Sequence, residues 1–193
     1  VLKTVLLYSI GTAGIMMCLS SEIGHVLIKE SDSAIFILMV APLVPVMYLD
    51  TSVDSILKGL GYQFYTMVVN IVDASLSVIL VWLLLPRFGI MGYVITVYFT
   101  EIVNATLSIT KLITVTRTPV KIFDWIVKPI VSIILATAAL RALLGSFGVF
   151  ADSRAEIFLH VLIASAIYFF LLLLCRALSL KKIFRSVRGF IYG

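Results

Sequence analysis

Between Lys3 and Glu22 lie eighteen consecutive residues without a charge, between Asp32 and Asp50 seventeen, and between Glu156 and Arg176 nineteen. Runs of that length match a bilayer's hydrocarbon core, which a helix crosses in about 20 residues. Two more runs, over 62–85 and 90–114, read as continuous membrane helix with one acid near the middle of each, Asp73 and Glu101. A sixth, over 122–144, is interrupted by Lys128, Pro129 and Arg141; its clean core is 130–140, and Trp125 is placed to anchor it at the interface. Six such runs in 193 residues leave almost nothing for a water-soluble core. Hydrophobic residues make up 62% of the chain, above the roughly 45–50% of soluble domains, and the mean hydropathy is +1.17. The expectation is an all-α fold, a polytopic transmembrane bundle of six spanning helices.

Lys and Arg near span ends resist translocation, so their distribution orients the bundle. With both ends and the second and fourth connections on one side, eleven of the fifteen basic residues fall there, leaving Lys29, Arg87, Arg141 and Arg154 opposite. Both termini are therefore expected in the cytoplasm. The net charge of +5 and pI near 9.3 do not point to nucleic acid, because the basic residues flank spans instead of lining a soluble face. The tail Lys181-Lys182-Ile183-Phe184-Arg185-Ser186-Val187-Arg188 suits anionic headgroups or a stop-transfer flank. Cys18 and Cys175 both fall inside spans, which argues against a disulfide framework or a metal site. The connections at 29–32, 60–61 and 86–89 are short, and no extramembrane domain fits in them or in the longer ones around Arg117 and Asp152. No nucleotide-binding glycine loop is present; Gly59 and Gly61 read as a tight turn. No catalytic triad can be assembled, and an enzyme is not expected. The chain starts at Val1, with no cleavable signal, and is expected to be a piece of a longer protein.

The second span carries Pro42 and Pro45, each lacking a backbone donor, so a kink at membrane depth is expected. If helix persists from 33 to 60 it reaches about 42 Å, beyond the ~30 Å hydrocarbon core, and must tilt, break or emerge. Past Leu49 it turns amphipathic, with Asp50, Asp54 and Lys58 on one face and Val53, Ile56, Leu57 and Leu60 read as the opposite one. The polar stripe either lines a water-filled vestibule or marks a helix end emerging with an Asp54–Lys58 pair. Deeper lie two carboxylate and amide pairs at spacing three, Asn70 with Asp73 and Glu101 with Asn104. Mid-span carboxylates cost about 2.5–3.5 kcal/mol on insertion scales and should turn towards protein or water. They either hold a coupling H+ or Na+, or brace the helix pair through Asn70, Asn104, Ser75 and Thr106. Glu22 and His25, where the first span ends, and His160, near the end of the last, offer a proton relay or an interfacial pair with water.

Several strings carry a family resemblance. Tyr48-Leu49-Asp50, Ile56-Leu57-Lys58-Gly59-Leu60-Gly61, Asn70-Ile71-Val72-Asp73, Leu84-Leu85-Pro86-Arg87-Phe88-Gly89-Ile90-Met91-Gly92-Tyr93 and Glu101-Ile102-Val103-Asn104-Ala105-Thr106-Leu107-Ser108-Ile109 resemble the C-terminal half of the stage V sporulation protein B group. That group belongs to the polysaccharide transporters of the multidrug/oligosaccharidyl-lipid/polysaccharide flippase superfamily. The resemblance implies a protein integral to the bacterial cytoplasmic membrane that moves lipid-linked saccharide, such as a peptidoglycan precursor, by alternating access. It makes residues 1–116 the last four helices of the second transporter lobe and 117–193 two additional helices with a basic tail. The implied partners are membrane lipid, the saccharide substrate and an N-terminal lobe missing from this chain. The few deep cations here suit a pyrophosphate poorly, so Asp73 and Glu101 are expected to couple an ion or brace the lobe. A cation-coupled drug antiporter of the same superfamily is the alternative. A membrane-embedded glycosyl transferase or polymerase comes third, since the loop around Asp152 is too sparse for one.

Overall fold

The computed structural model describes residues 2–28, 31–117, 126–147 and 154–174. Every element among them is helical. In chain order they are α1 (Leu2–Cys18), α2 (Ser20–Ile23), a π-type turn over Gly24–Ile28, α3 (Ser31–Val40), a 3-10 turn over Ala41–Leu43, α4 (Val44–Gly59), α5 (Gln63–Phe88), α6 (Ile90–Thr116), α7 (Lys128–Phe147) and α8 (Arg154–Leu174). Trp125, Cys175, the basic tail and the connection around Asp152 lie outside the described residues. Four helices among the described residues are long and apolar enough to cross a membrane, or five if the bent first helix is one crossing. Six were expected, and two of the runs account for the difference. The first is not a straight helix but breaks at Leu19, with 68° between Leu2–Cys18 and Ser20–Val26. The sixth starts among residues outside the described set; of it, a π-type turn at 126–127 and α7 from Lys128 are described.

Contacts divide the chain into two compact units, Val1–Ser9 with Met39–Val120, and Ile10–Leu38 with Lys121–Gly193. In the first, α4, α5 and α6 pack on one another. Gly61 at φ +86° and Gly89 at φ +56° make the two tight turns, in backbone conformations that side chains with a Cβ rarely adopt. The connection expected over 86–89 shrinks to Gly89 alone, since α5 continues to Phe88 with Pro86 in its last turn. Close approach of the hairpin depends on Gly92, where a Cβ would collide with the Leu84 carbonyl oxygen. From there α6 buries Gly92, Thr96, Thr100, Asn104, Ser108 and Leu112, a stripe at spacing four made mostly of small or polar residues. Such a stripe lets backbones approach where the surroundings are as apolar as the side chains, so packing and hydrogen bonds must drive association. Val53, Leu57 and Leu112 form the apolar core, flanked by Leu49, Ile56, Tyr65 and Ile109.

The second span runs 27 residues, Ser33–Gly59, or about 40 Å at 1.5 Å each. Pro42 and Pro45 lie in and just after its 3-10 turn. Each removes a donor that the carbonyl four residues earlier would receive, and the expected interruption is there. The Met39 carbonyl, just before it, accepts from Tyr98 Oη of α6 at 2.6 Å, so a side chain satisfies backbone at the break. The expected division of the following helix into opposed acid and apolar faces does not hold. Asp50, Val53, Asp54 and Leu57 form one buried stripe, Ile56 is half-buried and Leu60 is exposed. At 100° per residue, positions 50, 53, 54 and 57 fall within one quadrant or so, and α6 brings polar partners for the acids there.

In the second unit, α7 and α8 pack together, and α1 meets them through glycines. A Cβ at Gly11 would strike the Tyr168 ring, and one at Gly14 would strike Ile133. Leu19, Leu140 and Ala164 close the core below, with Ile15, Cys18, Ile23, Val161 and Ile163 around them. At the break, Arg141 Nη2 donates to the Cys18 carbonyl at 3.1 Å.

Candidate functional site: a buried carboxylate and amide network

The acid-bearing stripe of α4 lies where α5 and α6 each present an asparagine. Asn104 Nδ2 donates to Asp50 Oδ2 at 2.9 Å, and Asn70 Nδ2 donates to Asp54 Oδ2 at 3.2 Å. Ser108 Oγ, one turn beyond Asn104, donates to Asp54 Oδ1 at 3.2 Å. Lys58 Nζ stands 4.0 Å from Asp54 Oδ2. Asp50, Asp54 and Asn104 are each 7% exposed and Ser108 is 1% exposed, so these four are nearly withdrawn from their surroundings, while Asn70 and Lys58 are exposed. Three helices are thus tied by hydrogen bonds to charge-bearing groups, the strong kind of polar contact.

Both amides expected to matter are in the network, but their partners come from α4 and not from across the α5–α6 pair. Asn70 serves Asp54 and Asn104 serves Asp50. Asp73 and Glu101 are half-buried beside it. Neither takes part in a hydrogen bond among the described residues, although both act electrostatically at short range. Asp50 feels Asp54, Asp73 and Lys58, and Glu101 feels Asp50 and Asp73. Among the described residues Ser75 and Thr106 do not brace the helix pair: their hydroxyls donate to the carbonyls of Ile71 and Ile102 on their own helices, at 2.7 and 2.6 Å. A helical Ser or Thr satisfied locally has no proton left for a neighbour. Ser108 escaped the sequence reading, yet the spacing of four from Gly92 through Thr96, Thr100 and Asn104 was a signal for it.

Of the three candidates for a water-filled vestibule, Lys58 lines an open cleft of about 420 Å³ with Gln63, Thr66, Met67, Asn70, Ile71 and Ala74. Asp50 and Asp54 are not among its lining residues; Asn70 connects the two regions, touching the cleft on one side and Asp54 on the other. Near the cleft, Lys111 Nζ caps the rings of Tyr62 and Tyr65 at 4.8 and 5.1 Å from their centroids. Among the described residues no three His, Cys, Asp or Glu side chains are grouped to hold a metal ion.

The second unit holds a smaller polar pair. Glu22 faces His160 rather than the exposed His25, with His160 Nδ1 3.9 Å from Glu22 Oε2. Both atoms are buried and without a hydrogen-bond partner, and His160 is 2% exposed. Arg141, on the Cys18 carbonyl, also feels the Glu22 carboxylate. This pair sits at the end of the bend, at a point the periodicity did not reveal because Glu22 and His160 belong to opposite ends of the chain. Comparison with known protein families, curated proteins and solved structures finds no match to this chain.

Proposed function

We propose that the chain is the C-terminal portion of a membrane flippase that translocates lipid-linked saccharide, a polysaccharide or peptidoglycan precursor, by alternating access. One observation carries the reading furthest: within helices apolar enough for a bilayer, α4 brings two carboxylates inward and α5 and α6 clamp them with amides and a hydroxyl. Acids are tolerated at such depth when they face protein, and they mark transport and coupling pathways. The strings spanning Tyr48 to Ile109, with their likeness to the polysaccharide transporters, supply the substrate class. In this reading the preceding lobe provides the other wall of the cavity and the cations that grip a pyrophosphate, while Asp73 and Glu101 flank the coupling or bracing network. Both termini of this segment are cytoplasmic.

A second reading, a cation-coupled drug antiporter of the same superfamily, is favoured by acceptor oxygens on Asp50 and Asn104 that lack donors. One assay separates the two. The full-length protein, reconstituted in vesicles loaded with a fluorescent polyprenyl-pyrophosphate saccharide, is expected to move it between leaflets, and Asp54→Asn to abolish the movement while the protein remains in the membrane. Saccharide that stays put while small organic cations exchange for H+ or Na+ would reverse the order of the readings. Absence of both activities would remove transport altogether.

A further inference from the structure

A count of donors and acceptors in the α4–α6 contact does not close. Asn104 Nδ2 donates to Asp50 Oδ2, but the second oxygen of each group, Asp50 Oδ1 and Asn104 Oδ1, is buried with no hydrogen-bond partner. Both are acceptors, so neither can satisfy the other, and a buried acceptor left unpaired is costly. Ser108 cannot repair the deficit. Its single hydroxyl proton goes to Asp54 Oδ1, and although Ser108 is close enough to Asp50 to interact with it, turning towards Asp50 would strand Asp54 instead. Exchanging the oxygen and nitrogen of the Asn104 amide does not help either. That sets an amide oxygen against Asp50 Oδ2, and the carboxylate would then have to supply a donor itself.

One added proton removes the shortfall. We propose that Asp50 is a proton-binding site in the buried α4–α6 contact, its carboxyl donating to Asn104 while the Asn104 amide donates back. The step is a simple protonation: one proton from water joins an Asp50 oxygen, the network loses one negative charge, and no other bond forms or breaks. The pair then matches a carboxylic acid with an amide, each giving and receiving one hydrogen bond.

The surrounding charges favour this ligand. Facing Asp50 are Asp54 and Lys58 on its own helix, Asp73 from α5, and Glu101 from α6, whose carboxylate also feels Asp50. Three carboxylates against one ammonium leave the neighbourhood negative, and a charge withdrawn from solvent is disfavoured unless compensated. A bare metal cation would need a shell of several oxygens, whereas the two unpaired oxygens of side chains already linked by one N–H···O bond fit a proton. The site does not depend on what the chain carries, so it stands or falls apart from the flippase reading.

Infrared difference spectroscopy on the full chain in lipid nanodiscs tests it without any transport assay. At neutral pH the wild type is expected to show the carbonyl stretch of a hydrogen-bonded carboxylic acid, moving on deuteration and disappearing at alkaline pH. Asp50→Asn should remove the band yet keep the chain folded, because its amide can donate to Asn104. Asp73→Asn and Glu101→Gln should retain it. Asn104→Leu is the second variant and should shift the band to the position of an acid without an acceptor. A wild type with no such band at neutral pH, or a band that survives Asp50→Asn, overturns the proposal. So does a band-free protein whose thermal midpoint rises on adding sodium, which would make the ligand a cation.

Discussion

The two compact units solve the same packing problem with different chemistry. In the unit of α4, α5 and α6, three helices meet over charged and hydrogen-bonded groups, with Asp50 and Asp54 at the centre and Asn70, Asn104 and Ser108 around them. In the unit containing Ile10 to Leu38 with α7 and α8, the contacts are glycines against bulky apolar side chains, Gly11 on Tyr168 and Gly14 on Ile133, plus the Glu22–His160 pair. Where the surroundings are apolar, burial of Leu or Ile gives little preference for one helix neighbour over another, so specificity must come from shape or from polar pairing. One unit relies on pairing and the other on shape. Among the described residues the larger buried set of groups whose charge can change lies in the polar unit, against the single Glu22–His160 pair in the other, and the candidate function falls there.

The sharpest way to break this contrast is to disturb shape within the polar unit. Gly92→Leu drives a side chain into the Leu84 backbone, and overpacking of this kind is expected to cost about 3 kcal/mol or more. Loss of α5–α6 cross-linking in the folded state, with helix content retained, would report it. Next comes the pairing itself. Asp54→Ala removes the acceptor of Asn70 and Ser108, and with intramembrane hydrogen bonds worth about 0.6–1.7 kcal/mol each a loss of roughly 1–3 kcal/mol is expected in denaturant titrations in mixed micelles. In the shape-based unit, Gly14→Ala drives a Cβ into Ile133 at Cγ1 and close against its Cβ, so that side chain must shift, and about 1 kcal/mol is expected from the same titration. Smallest is Asp73→Asn. Half-buried and free of hydrogen bonds, Asp73 should change stability by no more than about 0.5 kcal/mol; a larger loss would mean that Asp73 belongs to the network after all.

Much of the helical framework was legible because lipid-crossing length and charge spacing are one-dimensional quantities. The runs at 62–85 and 90–114 became α5 and α6 with shifts of a few residues at their ends, and Pro42 and Pro45 announced the interruption of the second span. The bend at Leu19 left no such trace, since neither proline nor glycine occupies it, and its conformation follows from the α7 and α8 side chains packed around it. For the site, spacing told which residues shared a face but not which helix covered that face. Asn70 with Asp73, and Asn104 with Glu101, were placed on shared faces and the bracing expected across the α5–α6 pair, when α4 lay opposite and supplied Asp54 and Asp50. The face of α4 was misread for a related reason. Sorting residues into polar and apolar sides assumes that polar means outward, and in a network built on Asn and Ser the acids turn inward with Val53 and Leu57.

The proline-marked turn over Ala41–Leu43 has a mechanical meaning. A continuous α-helix behaves as a stiff rod, and any twist applied at one end appears at the other. At this joint the ladder of backbone hydrogen bonds is interrupted, the boundary between the two units falls beside it at Leu38, and the Tyr98 hydroxyl is the strut that holds the Met39 carbonyl. Within the first unit the helix that carries Asp50 and Asp54 thus starts afresh at Val44, its hydrogen-bond ladder separate from that of the residues before the turn.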